Sequence, residues 1–156
     1  MAKFEFKKEN SNATEKIAMS GIIDEDVDFN ILKLSDTGNI EIDLKNLKSI
    51  NSCGIREWIK WLSSSKNSQI NFVNCPKIIV DQINMVDGFL PTNAIVSSFF
   101  VPYYNEENGT EKNILFRLGH EYSQNGLNSP AKVTDDSGAE MEMDVIESKY
   151  FKFIKK

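Results

Sequence analysis

Ile40-Glu41-Ile42-Asp43-Leu44, followed shortly by Ile50-Asn51-Ser52-Cys53-Gly54-Ile55-Arg56-Glu57-Trp58-Ile59-Lys60-Trp61-Leu62, is the stretch that decides how this chain folds. From Asn39 to Leu44 apolar and polar residues alternate strictly, the period of a half-buried strand. Ile40, Ile42 and Leu44 then face a core, while Glu41 and Asp43 face the other way. In the second half Ile55, Trp58, Ile59 and Leu62 share one face of an amphipathic helix. Asn51 or Ser52 precedes it, and either side-chain oxygen can accept one of the N–H groups left unpaired at a helix start.

The same alternation of elements extends in both directions. Ser63-Ser64-Ser65 and Asn67 end the helix, and Gln69 to Val73 predicts another strand. Cys75-Pro76 opens a further helix, with Ile79, Val80, Ile83 and Met85 along its apolar side. Upstream, Phe4 and Phe6 share one face of a strand over Lys3–Lys8, and Lys16–Ile23 suits a second, with Gly21 at a bulge or turn. Asp24-Glu25-Asp26 precedes Val27, Phe29, Ile31, Leu32 and Leu34, a spacing that predicts a short helix with acids at its positive end. Ser35-Asp36-Thr37-Gly38 reads as a turn. The order β-β-α-β-α-β-α predicts an α/β domain over residues 1–97. Its core takes in Ile55, Ile59, Leu62, Ile70, Phe72, Ile79 and Ile83 as well as the strand residues. Trp58 and Trp61 cannot both centre one narrow stripe, so one is expected in the core and the other at its edge, against the appendage.

Beyond residue 98 the character changes. Ala94 to Tyr104 is apolar and extended. Two polar knots, Asn105-Glu106-Glu107-Asn108-Gly109 and Thr134-Asp135-Asp136-Ser137-Gly138, each precede a β-like segment, 113–118 and 139–146. A Gly/Asn/Ser/Pro-rich loop, 121–130, lies between them. Residues 98–156 are expected to form a small β-rich appendage. A unit of that size has a thin core and needs a metal, a disulfide or a docking surface.

The chain has 156 residues, 40% hydrophobic and 26% charged, the balance of a globular protein. With 18 basic against 23 acidic side chains the net charge is −5, which argues against nucleic-acid binding. Apolar runs such as Ile78-Ile79-Val80 are far shorter than the roughly 20 residues of a membrane-spanning helix. The Met1–Lys8 segment has no signal-peptide core, and two cysteines make no disulfide framework. A soluble cytoplasmic protein is expected.

The Ile40–Leu44 strand leading to Asn51-Ser52-Cys53-Gly54, together with the Asn74-Cys75-Pro76 turn and the element order, resembles the STAS family, the sulfate transporter and anti-sigma factor antagonist domains. The resemblance spans about residues 1–90 and implies a mixed sheet of four or five strands with helices largely on one face. It implies a non-enzymatic signalling module that works by protein–protein contact through the 51–54 loop. In the anti-sigma antagonist branch the first loop serine, here Ser52, is phosphorylated by a partner-switching kinase. A kinase-like or sigma-regulatory partner follows, with no cofactor. A phosphate there would meet free N–H groups and the helix dipole. The family's leading acid is Asn51 here, and its second hydroxyl residue is Cys53. The competing reading makes Ser52 only an N-cap, contributing about 1 kcal/mol. A small-ligand or nucleotide sensor using the sheet-end cleft is the alternative function.

The appendage resembles a zinc ribbon that has lost its ligands. The Cys-x-x-Cys-Gly pattern is matched in spacing by Asn105, Asn108 and Gly109, and by Thr134, Ser137 and Gly138. Zinc requires thiolate or imidazole ligands, so no metal is expected and plain hairpin turns are the simpler reading. His120 is the only histidine, and nothing in sequence places it near Ser52 or Cys53. Glu106-Glu107 and Asp135-Asp136 lack the alternate spacing of a calcium loop. Cys53 suits a small buried residue at a helix–sheet junction more than a redox role. Phe99-Phe100, Tyr103-Tyr104 and Tyr150-Phe151-Phe153 suit an apolar seam between the two parts.

Overall fold

The structure, a computed structural model, describes residues 3–34, 37–123 and 125–154. The expected turn at 35–38 and the loop at 121–130 therefore lie partly outside the described residues. β1 (Glu5–Ser11) and β2 (Thr14–Ile23) form an antiparallel hairpin. β3 (Thr37–Ile50), β4 (Asn67–Val73) and β5 (Ala94–Val96) then add in parallel, giving a mixed five-stranded sheet in the order β1-β2-β3-β4-β5. α1 (Ser52–Ser63) and α2 (Lys77–Met85) supply crossovers between the parallel strands. This is the mixed α/β architecture expected from the alternation of elements, with a small β-rich part after it.

The strand register is as read from the alternation. Ile40, Ile42 and Leu44 are fully buried, beside Ile17, Met19, Ile70 and Phe72, while Glu41 and Asp43 are half-buried on the opposite face. Four expectations are corrected. β3 continues to Ile50 because two bulges against β2 restore its pairing where the period-two pattern breaks after Leu44. The helix expected over 27–34 is only a 3₁₀ turn, Phe29–Ile31, capped by the Asp28 carboxylate. The carbonyl of Leu32 accepts the Trp61 indole N–H at 2.6 Å and is not part of a continuing helix. Both tryptophans are buried: Trp58 stacks on Phe89 at 5.1 Å, and Trp61 stacks on Phe29 at 4.8 Å rather than on the appendage. That segment and the chain after α2 widen the covered face beyond one helical stripe. Ile55, Ile59 and Ile83, expected in the core, are only half-buried, and Met85, at the end of α2, is exposed.

At Ser97 the chain changes sheets. The Ser97 N–H donates to the Phe72 carbonyl at 2.8 Å, the last bond of the first sheet. β6 (Ser98–Tyr104) then clasps the turn before α2, with Cys75 N–H donating to Ser98 O and Phe100 N–H to Cys75 O. β6 pairs with β7 (Glu111–Arg117), and beyond the short β8 (Tyr122–Ser123) and β9 (Gly126–Leu127) it pairs with β10 (Glu142–Met143). The extended segment expected over 139–146 is strand only at β10. α3 (Glu147–Tyr150) and the turn Lys152–Ile154 return to α2. There the Asn84 amide donates to Tyr150 O at 2.8 Å and accepts from Phe153 N–H at 2.9 Å. Phe99 lies at the centre, 5.0–6.2 Å from Phe116, Tyr122, Tyr150, Phe151 and Phe153. The buried apolar residues run without a break from the first sheet through this cluster.

The hairpin between β1 and β2 turns on Asn12 and Ala13, at φ 50° and 64°. Two left-handed residues are what a two-residue type I′ turn requires, and alanine is strained there by about 1 kcal/mol. Ala13→Gly should therefore raise the unfolding free energy by about that amount, read as a higher urea midpoint at unchanged slope.

Candidate functional site

The 51–54 loop sits where the end of β2 meets the start of α1. Asn51 N–H donates to the Ile23 carbonyl at 3.1 Å, which holds the loop against the sheet. The helix cap is Asn51, not Ser52: its Oδ1 accepts the Gly54 N–H at 2.9 Å, and its carbonyl accepts from Ile55. Ser52 is the first helical residue, exposed, and its hydroxyl makes no hydrogen bond among the described residues. Cys53 is exposed as well, contrary to the expected buried position, because the residue turned into the junction is Gly54. A Cβ on Gly54 would lie 2.5 Å from the Ile23 carbonyl oxygen. Only a residue without a side chain lets the helix start this close to the strand.

One residue at this site was not anticipated from sequence. The Glu25 carboxylate accepts a hydrogen bond from Asn51 Nδ2 at 2.8 Å, and this bond lowers its pKa. A carboxylate from 26 positions earlier in the chain thus stands beside position 51. The Asp24-Glu25-Asp26 run was legible only as a helix start, and no helix begins there. A cleft of about 440 Å³ lies farther along α1, floored by Phe29, Leu32 and Trp61 and rimmed by Asp28, Glu57 and Lys60. The loop residues 51–54 do not line it. His120 lies in the exposed turn after β7, where its N–H donates to Arg117 O and its carbonyl accepts from Asn128. No contact joins it to the loop.

The two knots of the appendage come together. Asn105 is buried, and its Oδ1 accepts from the N–H groups of Glu107 and Asn108, while its Nδ2 donates to Glu140 O. In the second knot the corresponding residue is Asp135, not Thr134. Asp135 Oδ1 accepts from the Ser137 hydroxyl at 2.6 Å and from the N–H groups of Ser137 and Ala139. Its Oδ2 accepts from Asn108 Nδ2 at 2.9 Å and from the Thr110 hydroxyl, joining the knots. Thr134 instead forms a β-bridge with Glu140, and its carbonyl accepts from Lys112. The reason is reach: a carboxylate oxygen can curl back to the N–H two residues on, forming an Asx turn. Among the described residues, no three His, Cys, Asp or Glu side chains gather so as to hold a metal ion.

Burial raises the pKa of the Cys75 thiol, with Asp43 adding to it, so this thiol stays protonated. Burial does the same for Tyr122 and Tyr150, whose hydroxyls donate to the carbonyls of Val96 and Phe100. These three groups are apolar packing and local ties. No protein-family model matches the chain, and no curated protein matches it.

Gly54→Ala gains helix propensity but forces the Ile23 carbonyl to move. It should lower stability by about 1–3 kcal/mol, measured by urea unfolding. The Ser137 hydroxyl, then the Asn108 amide, hold the Asp135 pKa well below the usual carboxylate range. A depressed folded-state pKa stabilises above the unfolded value of about 3.9 and loses that stabilisation as pH falls toward the folded value. The urea midpoint of the protein should exceed that of Asp135→Asn above about pH 4, and the gap should close as pH falls below it.

Proposed function

We propose that the chain is a non-enzymatic regulatory module of the STAS, anti-sigma factor antagonist kind, acting in the cytoplasm by protein–protein contact through Asn51–Gly54 and switched by phosphorylation of Ser52. The observation that carries the reading is the free, exposed Ser52 hydroxyl at the start of a twelve-residue helix whose cap is already provided by Asn51. A hydroxyl committed to capping would have favoured a purely structural role. The element order and the parallel β3-α1-β4 unit that presents the loop support the same reading. No helix among the described residues is long and apolar enough to cross a membrane.

A phosphoryl group on Ser52 would meet the unpaired N–H groups of the first helical turn and the positive end of the dipole. It would add about −1.5 to −2 charges beside the Glu25 carboxylate. Position 51 is neutral, but Glu25 restores the like-charge neighbour that a neutral residue there would have removed. Phosphorylation therefore pushes Glu25 from Asn51 and makes the loop surface sharply more negative. A partner with an acidic rim would then let go. The partner in this reading is a kinase-like or sigma-regulatory protein.

Because Asn51 is the cap, Ser52→Ala should change stability by less than about 0.5 kcal/mol, whereas Asn51→Ala should cost about 1 kcal/mol. In pulldowns from the source cells, Ser52→Ala should retain a kinase-like or sigma-regulatory partner constitutively, and Ser52→Asp should stay folded and lose it. Mass spectrometry should find phosphate on Ser52 of the native protein. Identical captures by all three proteins, with no phosphate at Ser52, would overturn the proposal.

A further inference from the structure

β1 is an outer strand of the five-stranded sheet, with seven residues of which none is fully buried. An uncovered edge of that length offers unpaired N–H and C=O groups to any extended chain. Which residues offer them follows from the hairpin. Ser11 and Thr14 close its two-residue turn, and in such turns the closing pair exchanges both hydrogen bonds. The main-chain groups of Glu5, Lys7, Glu9 and Ser11 therefore point to β2, and those of Phe6, Lys8 and Asn10 point outward.

The side chains then decide what can pair there. Lys3, Glu5, Lys7 and Glu9 are exposed and alternate in sign along the face of the sheet that α1 and α2 leave open. Charges on an edge strand ordinarily keep other strands away. A strictly alternating row is different, since it complements an antiparallel copy of itself. With the two-fold axis at Phe6, Glu5 lies opposite Lys7 of the second copy and Lys3 opposite Glu9, each twice by symmetry. The neighbouring registers fail. An axis at Lys7 sets Lys7 against itself and Glu5 against Glu9. An axis at Glu5 sets Glu5 against itself and Lys3 against Lys7. An axis at Lys8 sets Lys8 against itself and leaves Glu5 without a cation. Like charges directly opposite are destabilising.

The Phe6 register also satisfies the main chain, because Phe6 is one of the residues whose N–H and C=O point outward. At the same edge Phe4, Phe6 and Met19 line a surface cleft with Glu5, Lys7, Ala18 and Ser20, together with Ile31, which is 67% exposed. A second copy would bring Phe6 against Phe6 at the axis and cover part of this apolar surface.

We propose that β1 is a self-association edge: two copies of this chain pair antiparallel about Phe6, joining their five-stranded sheets into one of ten strands. The contact is isologous and closes on itself, so it forms a dimer and not a fibre. One strand pair is small beside a standard interface, so the dimer is a weak, concentration-dependent one. The proposal rests on no property of the 51–54 loop, which follows β3, two strands in from β1, and on no change at Ser52.

Sedimentation velocity of the full chain over rising concentration tests it. The mass should climb from 17.7 kDa toward twice that value. Lys7→Glu sets Glu against Glu5, and Glu5→Lys sets Lys against Lys7, so each variant alone should remain monomeric. Mixed in equal amounts the two variants are again complementary and should regain the dimer, which also shows that neither has misfolded. A wild-type mass that stays at 17.7 kDa to the highest concentration reached overturns the proposal, and so does a dimer that both charge reversals leave intact.

Discussion

The close approach of the Ile23 carbonyl to the first turn of α1 is the constraint on which the candidate site depends. That oxygen accepts the Asn51 N–H, and it leaves no room for a side chain at position 54. With Gly54 turned into the junction, Ser52 and Cys53 must project outward, and Asn51 must provide the cap. The same approach brings the chain just past β2 beside the loop, so that Glu25 can accept from Asn51. One backbone contact thus sets which hydroxyl is free and which carboxylate stands beside it.

A second junction ties the appendage to the sheet. The chain leaves the first sheet at Ser97 and immediately pairs with the turn before α2, so β5 and β6 serve two sheets with a single residue between them. Phe99 sits among five other aromatic rings, which come from as far along as Phe153. The Asn84 amide closes the arrangement by satisfying two main-chain groups of the returning C-terminal segment. A unit with little core of its own is stabilised here by aromatic burial and by buried hydrogen bonds, each contributing where water is excluded. The knots show the same substitution on a smaller scale: side-chain amide and carboxylate oxygens gather the N–H groups of both turns.

The charges of the molecule are arranged in two ways. On the open face of the sheet they alternate in rows across the strands, with Glu9 beside Lys16 and Lys16 beside Glu41. Around the 51–54 loop they do not alternate: Asp24, Glu25 and Asp26 stand together. The first pattern suits association with a surface of the same kind, and the second gives the loop a negative setting.

The sequence alone determined what depends on local period and local chemistry. Strict alternation from Asn39 to Leu44 set the face of the central strand, and the spacing of Ile55, Trp58, Ile59 and Leu62 marked α1, because side-chain direction follows from backbone period without knowledge of the neighbours. The absence of thiol or imidazole in the knots was likewise plain from residue identity. Tertiary structure decided everything that rests on a contact distant along the chain. The extent of β3 was set by bulges against β2, and the fate of the 27–34 segment by an indole N–H taking the Leu32 carbonyl. The burial of both tryptophans needed Phe29 and Phe89 as separate covers. Asn51 rather than Ser52 became the cap, and Asp135 rather than Thr134 the hub of its knot, because hydrogen bonds are awarded by distance and angle in three dimensions, and residue spacing fixes neither.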